Sequence, residues 1–274
     1  MIQKFKTIPY IAIILFLLFG FANNTFAQNP YSSGLKAILI VGDQQEGTSS
    51  AIAEMNELAT LFNQNGIYVY RFYDNNTDWE KIVNVSRECS FFVYSGHGSN
   101  QGIGGAVGGL ALNEMISTNK LMSTLRLKNN ALVLFKSVCN GAGSSAGDDE
   151  DIQITEAKNR VTNYSYPFFS VGASAYYANN FKKGVYNFLN DFLSGSNLKE
   201  AYINSTKTWT NIELDETFVK DSGKSISIAS TNWGGSSTRT TYTNGVRKVE
   251  TVPTPKQYDI AFVGSKNFSI LNMK

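Results

Sequence analysis

Ser90 to Gly98 reads Ser-Phe-Phe-Val-Tyr-Ser-Gly-His-Gly, and Ala131 to Gly141 reads Ala-Leu-Val-Leu-Phe-Lys-Ser-Val-Cys-Asn-Gly. Each stretch begins as a short, unbroken apolar run and ends in a polar turn that holds glycine. Continuous rather than alternating hydrophobicity marks a strand buried on both faces, as in a parallel sheet. Upstream, Leu35–Val41 is a similar run ending at Gly42, which makes Ser90–Tyr94 the third expected strand and Ala131–Phe135 the fourth. Between the first and third lies a helix expected to be capped by Thr48-Ser49, with Ile52, Met55, Leu58, Ala59 and Phe62 at helical spacing and a stop at Asn65-Gly66. A second strand, Ile67–Phe72, and a helix over Trp79–Arg87 follow. Strand and helix alternate, so the pattern predicts an α/β fold with a mostly parallel central sheet and helices on both faces.

Farther along, the pattern predicts a helix over Asn113–Leu125 and a fifth strand over Pro167–Val171. Helices over Phe181–Leu193 and Leu198–Lys207 come next. Residues 28–210 thus form the main unit. Residues 211–274 are β-rich: Asn244-Gly245 inside Thr238–Glu250 is a hairpin signal, and Tyr258–Val263 reads as a last strand. This part is expected to complete the edge of the same sheet.

Met1–Ala27 reads as an export signal, with Lys4 and Lys6 ahead of the apolar run Ile11–Phe21 and a cut after Ala27. The run is well short of the ~20 residues a spanning helix needs, so a secreted or periplasmic protein without a stable membrane anchor is expected. Beyond Ala27 the acidic and basic side chains balance, and the 274-residue chain carries a formal +2 with only 17% charged residues. Without a basic tract, electrostatic capture of nucleic acid is not expected. One histidine and two cysteines exclude a zinc finger, a three-histidine zinc site and a disulfide framework.

The scarcity narrows the chemistry. His97, the only histidine, follows the third strand, and Cys139 follows the fourth. Reactants in open parallel sheets meet at the carboxyl ends of the strands, and neighbouring strands lie only ~5 Å apart. A thiol and an imidazole on one rim are what covalent acyl transfer requires: the sulfur attacks a carbonyl and the imidazole protonates the departing amine. The N–H groups of Gly98 and Cys139 can then serve as an oxyanion hole, each donor being worth on the order of 3 kcal/mol. Taken alone, a histidine after a strand is an ordinary turn residue and a cysteine in an apolar stretch a small core residue. Jointly, on consecutive strands, they carry the argument.

Strand-then-Ser-Gly-His-Gly followed by strand-then-Ser-Val-Cys resembles the group of cysteine peptidases that includes caspases, metacaspases, gingipains, clostripain and legumain. The resemblance covers Leu35 to about Asn180 and is especially close to metacaspases over Tyr94–Gly98. It implies a caspase-like three-layer sandwich and an endopeptidase in which His97 and Cys139 form a catalytic dyad, with Gly98 joining Cys139 in the oxyanion hole. Metacaspases carry Asp two residues before the nucleophile and His just after it, and here Ser137 and Asn140 stand there. The metacaspase preference for a basic side chain on the acyl side of the scissile bond therefore does not carry over through Ser137. The string Phe168–Ala175, which includes Ser174, resembles the fifth strand of gingipain-like members.

Other residues are candidates for substrate binding. Asp43, past the first strand, and the acidic run Asp148-Asp149-Glu150-Asp151 are the acids near the expected cleft. Either Asp43 or Asp148 can read a Lys or Arg side chain of a peptide or protein substrate. The acidic run also reads as a Ca²⁺ site, though a solvated acidic loop is the preferred reading and the dyad itself needs no cofactor. Ala142–Arg160 matches the segment where members of the resembled group are cut during maturation. Tyr176, Tyr177 and Phe181 either line the cleft or pack, with packing preferred. The glycines of Gly96–Gly109 suggest a mobile cleft wall rather than a phosphate cradle. Cys89 and Cys139, at opposite ends of adjacent strands, are ~15–20 Å apart in this layout, beyond the ~6 Å that a disulfide spans. Two further readings remain: a caspase-fold binding or scaffold protein, and a cysteine-dependent hydrolase of non-peptide acyl groups. The residues do not decide the oligomeric state.

Overall fold

The apolar runs that open the sequence argument become neighbouring strands of one sheet. The computed structural model describes residues 33–148, 150–207, 212–215, 224–231 and 235–273. The export signal expected over residues 1–27 lies outside them. In chain order the strands are β1 (Lys36–Val41), β2 (Tyr68–Tyr73), β3 (Phe91–Ser95), the short β4 (Leu110–Ala111) and β5 (Met115–Ile116), and β6 (Ala131–Lys136). They continue with β7 (Ala173–Asn179), β8 (Ile212–Asp215), β9 (Ser225–Thr231), β10 (Ser236–Thr243), β11 (Val246–Pro253) and β12 (Gln257–Gly264). The helices are α1 (Thr48–Gln64), α2 (Trp79–Ser86), α3 (Thr118–Thr124), α4 (Ile154–Phe169), α5 (Gly184–Leu193) and α6 (Leu198–Lys207).

Eight strands form the main sheet in the order β2-β1-β3-β6-β7-β12-β9-β8. The first five are mutually parallel, and β12, β9 and β8 extend the sheet by antiparallel pairing. The strands β8, β9 and β12 thus complete the sheet's edge, while β10 and β11 make a separate hairpin. Its turn, Asn244-Gly245, has positive φ at both residues (52° and 78°), the geometry that two-residue hairpins favour.

Alternate side chains of each central strand feed two apolar layers. Ile38, Ile40, Phe92, Tyr94, Val133 and Phe135 pack with α2, α3 and α4 through Ile82, Leu121, Val161 and Phe168. Leu39, Val41, Val93 and Leu134 pack on the other face with α1, α5 and α6 through Met55, Phe62, Phe188 and Tyr202. The architecture is a helix–sheet–helix sandwich.

Register sets the rim. Val41 lies opposite Ser95, Ser95 opposite Lys136, and Lys136 opposite Asn179. Four parallel strands therefore end level, and their following loops share one edge. Because β9 runs toward that edge and β12 away from it, the β10–β11 hairpin rises from the same edge.

Three local expectations are corrected. Pro167–Val171 is not a strand: Pro167 to Phe169 close α4, and the fifth parallel strand starts at Ala173. A proline near the end of a helix forfeits one hydrogen bond, while the burial of Ala157, Val161, Tyr164 and Phe168 along one face holds the helix to the sheet. Gly172, at φ 118°, makes the turn into β7; a Cβ there would lie 2.6 Å from Leu127 O. The helix expected over Asn113–Leu125 is only Thr118–Thr124, capped by Ser117, whose hydroxyl accepts the Lys120 N–H (3.2 Å), and the preceding residues form the β4–β5 hairpin. Thr48-Ser49 does not cap α1. Gly47 holds that place, and the Thr48 hydroxyl accepts the Gln44 N–H instead.

Candidate active site

Beyond β3 the chain turns at Gly96, where a Cβ would lie 2.3 Å from the Tyr94 hydroxyl oxygen. Only glycine passes over that ring. His97 follows, exposed on the rim. Gly98 is more tightly held: a Cβ there would sit 2.4 Å from Cys139 O and 2.4 Å from the Tyr164 hydroxyl oxygen. The turn carrying His97 is thus in van der Waals contact with the backbone of Cys139.

Beyond β6, the half-buried Cys139 sits in a turn between two residues with positive φ, Ser137 (53°) and Asn140 (66°). A left-handed serine costs of order 1 kcal/mol, and such strain concentrates at functional turns. The turn is fixed from several sides. Ser137 N–H donates to Asn179 O (3.2 Å), Asn140 N–H to Ser144 O (2.8 Å), Gly141 N–H to Val138 O (2.9 Å) and Ser144 N–H to Tyr258 O (3.0 Å). The Cys139 N–H has no acceptor among the described residues. An amide held in a rigid turn without a partner is a donor available to an incoming oxyanion.

The candidate substrate residues divide. Asp43 lies on the rim beyond β1, with one carboxylate oxygen accepting the Gln45 N–H (2.8 Å) and the Thr48 hydroxyl (3.4 Å). The Ser137 hydroxyl is occupied: it accepts from Lys136 Nζ (2.9 Å) and lies 3.3 Å from Asn180 O. Asp148 is not an open acidic pocket. Arg160 Nη1 contacts both its oxygens (2.8 and 3.0 Å), and the Ser145 N–H donates to it at 2.7 Å. A guanidinium already neutralises the charge meant for a basic substrate side chain. Ser174 lies at the start of β7, on the opposite edge of the sheet from Cys139, with its hydroxyl on Asn130 Oδ1 (3.0 Å). Tyr176 is fully buried and does not face a cleft; its hydroxyl donates to Gly141 O (2.8 Å) and braces the turn of Cys139 from beneath.

Glu150 pairs with Arg239 at the base of the β10–β11 hairpin (3.1 Å), and the Asp151 carboxylate accepts the Lys256 N–H (2.6 Å). Asp149 lies outside the described residues, among which no group of three or more His, Cys, Asp or Glu side chains could hold a metal ion. Tyr94 and Tyr164, whose hydroxyls meet the backbone of His97 and Ser99, carry no signal of that role in the sequence. Tyr94 sits in the quoted stretch, whereas Tyr164 is on the unassigned helix α4.

Both cysteines are free thiols. Cys89 is buried ahead of β3, with its sulfur 3.2 Å from Val85 O. Burial pushes its thiol from 9.0 up to about 12. Burial also raises the phenols of Tyr94, Tyr164, Tyr176 and Tyr177 well above their ordinary 10.0. All these folded-state values are raised, so the neutral forms favour the fold. Their contribution is fully present below about pH 9 and is lost as pH climbs toward 12 and beyond. Each group adds a slope of about 1.4 kcal/mol per pH unit while only its unfolded form is ionised. Urea unfolding is expected to give flat stability from pH 7 to 8.5 and a steep fall above pH 10. A flat profile to pH 11.5 would refute the burial of these groups.

The chain matches no protein-family model, and no curated protein resembles it at a significant level.

Proposed function

We propose that this chain is an exported cysteine endopeptidase of the caspase-like type, with Cys139 as nucleophile and His97 as general acid and base. The observation that carries the proposal is the contact of Gly98 with Cys139 O on the rim where β3 and β6 end level. In this mechanism the Cys139 thiol gives its proton to His97, and the sulfur attacks the scissile carbonyl carbon. The C=O electrons move to oxygen, and the N–H groups of Cys139 and Gly98 receive that oxyanion. Collapse breaks the C–N bond, and His97 delivers its proton to the departing amine. The resulting thioester is opened by water whose proton passes to His97 and from there to the departing sulfur as the C–S bond breaks, releasing the acid and the free thiol. Of the two candidate acids, Asp43 rather than Asp148 is left for a Lys or Arg side chain of the substrate, since Asp148 is occupied by Arg160.

The test uses a Cys89→Ala protein, so that one thiol remains. Iodoacetamide is expected to alkylate Cys139 rapidly at pH 6, and His97→Ala is expected to slow that reaction by about tenfold or more. A panel of fluorogenic peptide amides, varied in the residue before the cleaved bond, then reports hydrolysis. Alkylation indifferent to His97 together with no hydrolysed amide would overturn the proposal.

A further inference from the structure

The His97 ring nitrogens have no hydrogen-bond partner among the described residues, so no hydrogen bond there orients the imidazole. A histidine that must meet a sulfur within a few tenths of an ångström then depends on its backbone for placement. That backbone is held by tyrosines at His97's own carbonyl and, two residues on, at Ser99. Tyr94's hydroxyl oxygen lies 2.8 Å from His97 O and 3.0 Å from Ala111 O, and it accepts the Ala111 N–H at 3.1 Å. Tyr164's hydroxyl accepts the Ser99 N–H at 2.9 Å and lies 3.4 Å from Ser99 O. The same oxygen and Cys139 O both bear on the side of Gly98 where a Cβ would stand. A third phenol, Tyr176, holds Gly141 O in the nucleophile's turn.

The three rings share one support. Tyr94, Tyr164 and Tyr176 pack edge-to-face on Phe135, with centroids 5.4, 5.5 and 5.2 Å from it and interplanar angles of 61°, 70° and 63°. Phe168 closes the cluster from α4 at 5.7 Å. All five rings are buried to 1% exposure or less. Each tyrosine therefore reaches from a rigid aromatic centre beneath the rim to a loop that the sheet's own ladder no longer fixes. A phenol with two rotatable side-chain angles, locked by packing, transmits the position of the sheet to the loop.

We propose that Tyr94 and Tyr164 are positioning residues for His97, set by Phe135, with Tyr176 doing the same for the turn of Cys139. The inference rests on the Cys139–His97 reading and extends it to residues that touch neither substrate nor reacting atoms. Tyr164→Phe keeps the ring and removes only the hydroxyl.

In the Cys89→Ala background, the rate of Cys139 alkylation by iodoacetamide is followed from pH 5.5 to 9. The Tyr164→Phe rate at pH 6 is expected to fall about three- to tenfold, toward the His97→Ala value, and to converge with the parent near pH 9. Tyr94→Phe is expected to behave alike and replaces Tyr164→Phe if that variant does not fold. Ser86→Ala is the comparison: this buried hydroxyl donates to Val83 O within α2, away from the rim. Its profile is expected to follow the parent, so that loss of a buried hydroxyl alone is not mistaken for positioning. Tyr94→Phe and Tyr164→Phe profiles that superimpose on the parent, while His97→Ala is displaced, would overturn the inference. A His97→Ala profile matching the parent would instead overturn the dyad itself.

Discussion

Cys139→Ala is expected to remove amide hydrolysis by on the order of 10⁴-fold while the melting temperature stays within a few degrees of the parent. The contrast follows from the site's construction. The Cys139 side chain is half-buried, and its sulfur has no hydrogen-bond partner among the described residues, so its loss removes little packing. Gly98→Ala is expected to have the complementary signature. Its new Cβ would meet Cys139 O and the Tyr164 hydroxyl at 2.4 Å, so at least one must move. Both lie where the proposed oxyanion donors are set, and a displaced donor costs on the order of 10²–10³ in kcat. Stability also falls, because a buried phenol and a fixed turn are pushed apart. Initial rates on the best peptide amide of the panel, with thermal melts of the same preparations, give both numbers. A Cys139→Ala protein retaining a tenth of the parent's activity would end the nucleophile assignment.

Much of this site can be read from two apolar runs and the residues that end them. The continuous hydrophobicity of Phe91–Tyr94 and Ala131–Phe135 is a direct consequence of burial on both faces, which makes the strands central; that β3 lies beside β6 comes from the sheet order. Once they are adjacent, residues just past their ends share a rim. The misplacement of Ser174 and the misreading of Asp148 trace to one helix. α4 reads Ile-Thr-Glu-Ala-Lys-Asn-Arg-Val-Thr-Asn-Tyr-Ser-Tyr-Pro-Phe-Phe, rich in β-branched, Asn, Ser and Tyr residues with weak helix propensity and carrying a proline. It is helical because Ala157, Val161, Tyr164 and Phe168 line one face against the sheet. Treating Pro167–Val171 as a strand placed the fifth strand six residues early. A strand ending at Val171 would put Ser174 on the rim of Cys139, whereas it lies at the opposite edge. The same omission hid Arg160, which occupies Asp148, and Tyr164, which packs beside His97's turn. These are pairings between segments distant in sequence, and no local pattern encodes them.

Glu54→Ala is expected to destabilise the protein by about 3–5 kcal/mol in urea unfolding, the largest stability effect on this rim. Glu54 on α1 and Lys136 at the end of β6 form an ion pair of 3.0 Å, with side chains only 15% and 10% exposed. Removing the carboxylate leaves an ammonium nearly out of water with one neutral partner, the Ser137 hydroxyl. Attraction in such a place roughly repays desolvation, so the pair as a whole adds little, and its rupture is what costs. Glu54→Leu combined with Lys136→Met is therefore expected to recover stability to within about 1 kcal/mol of the parent. Activity is expected to part company with stability in that double variant. Lys136 Nζ donates to the hydroxyl of Ser137, whose left-handed backbone aims Cys139, and methionine offers no donor. The stable double variant should thus hydrolyse its amide substrate several-fold more slowly, because the strained turn loses one of its ties. A Glu54→Ala cost below about 1 kcal/mol would mean that Lys136 swings to water, and Ser137 would then owe its conformation to Asn179 and Asn180 alone.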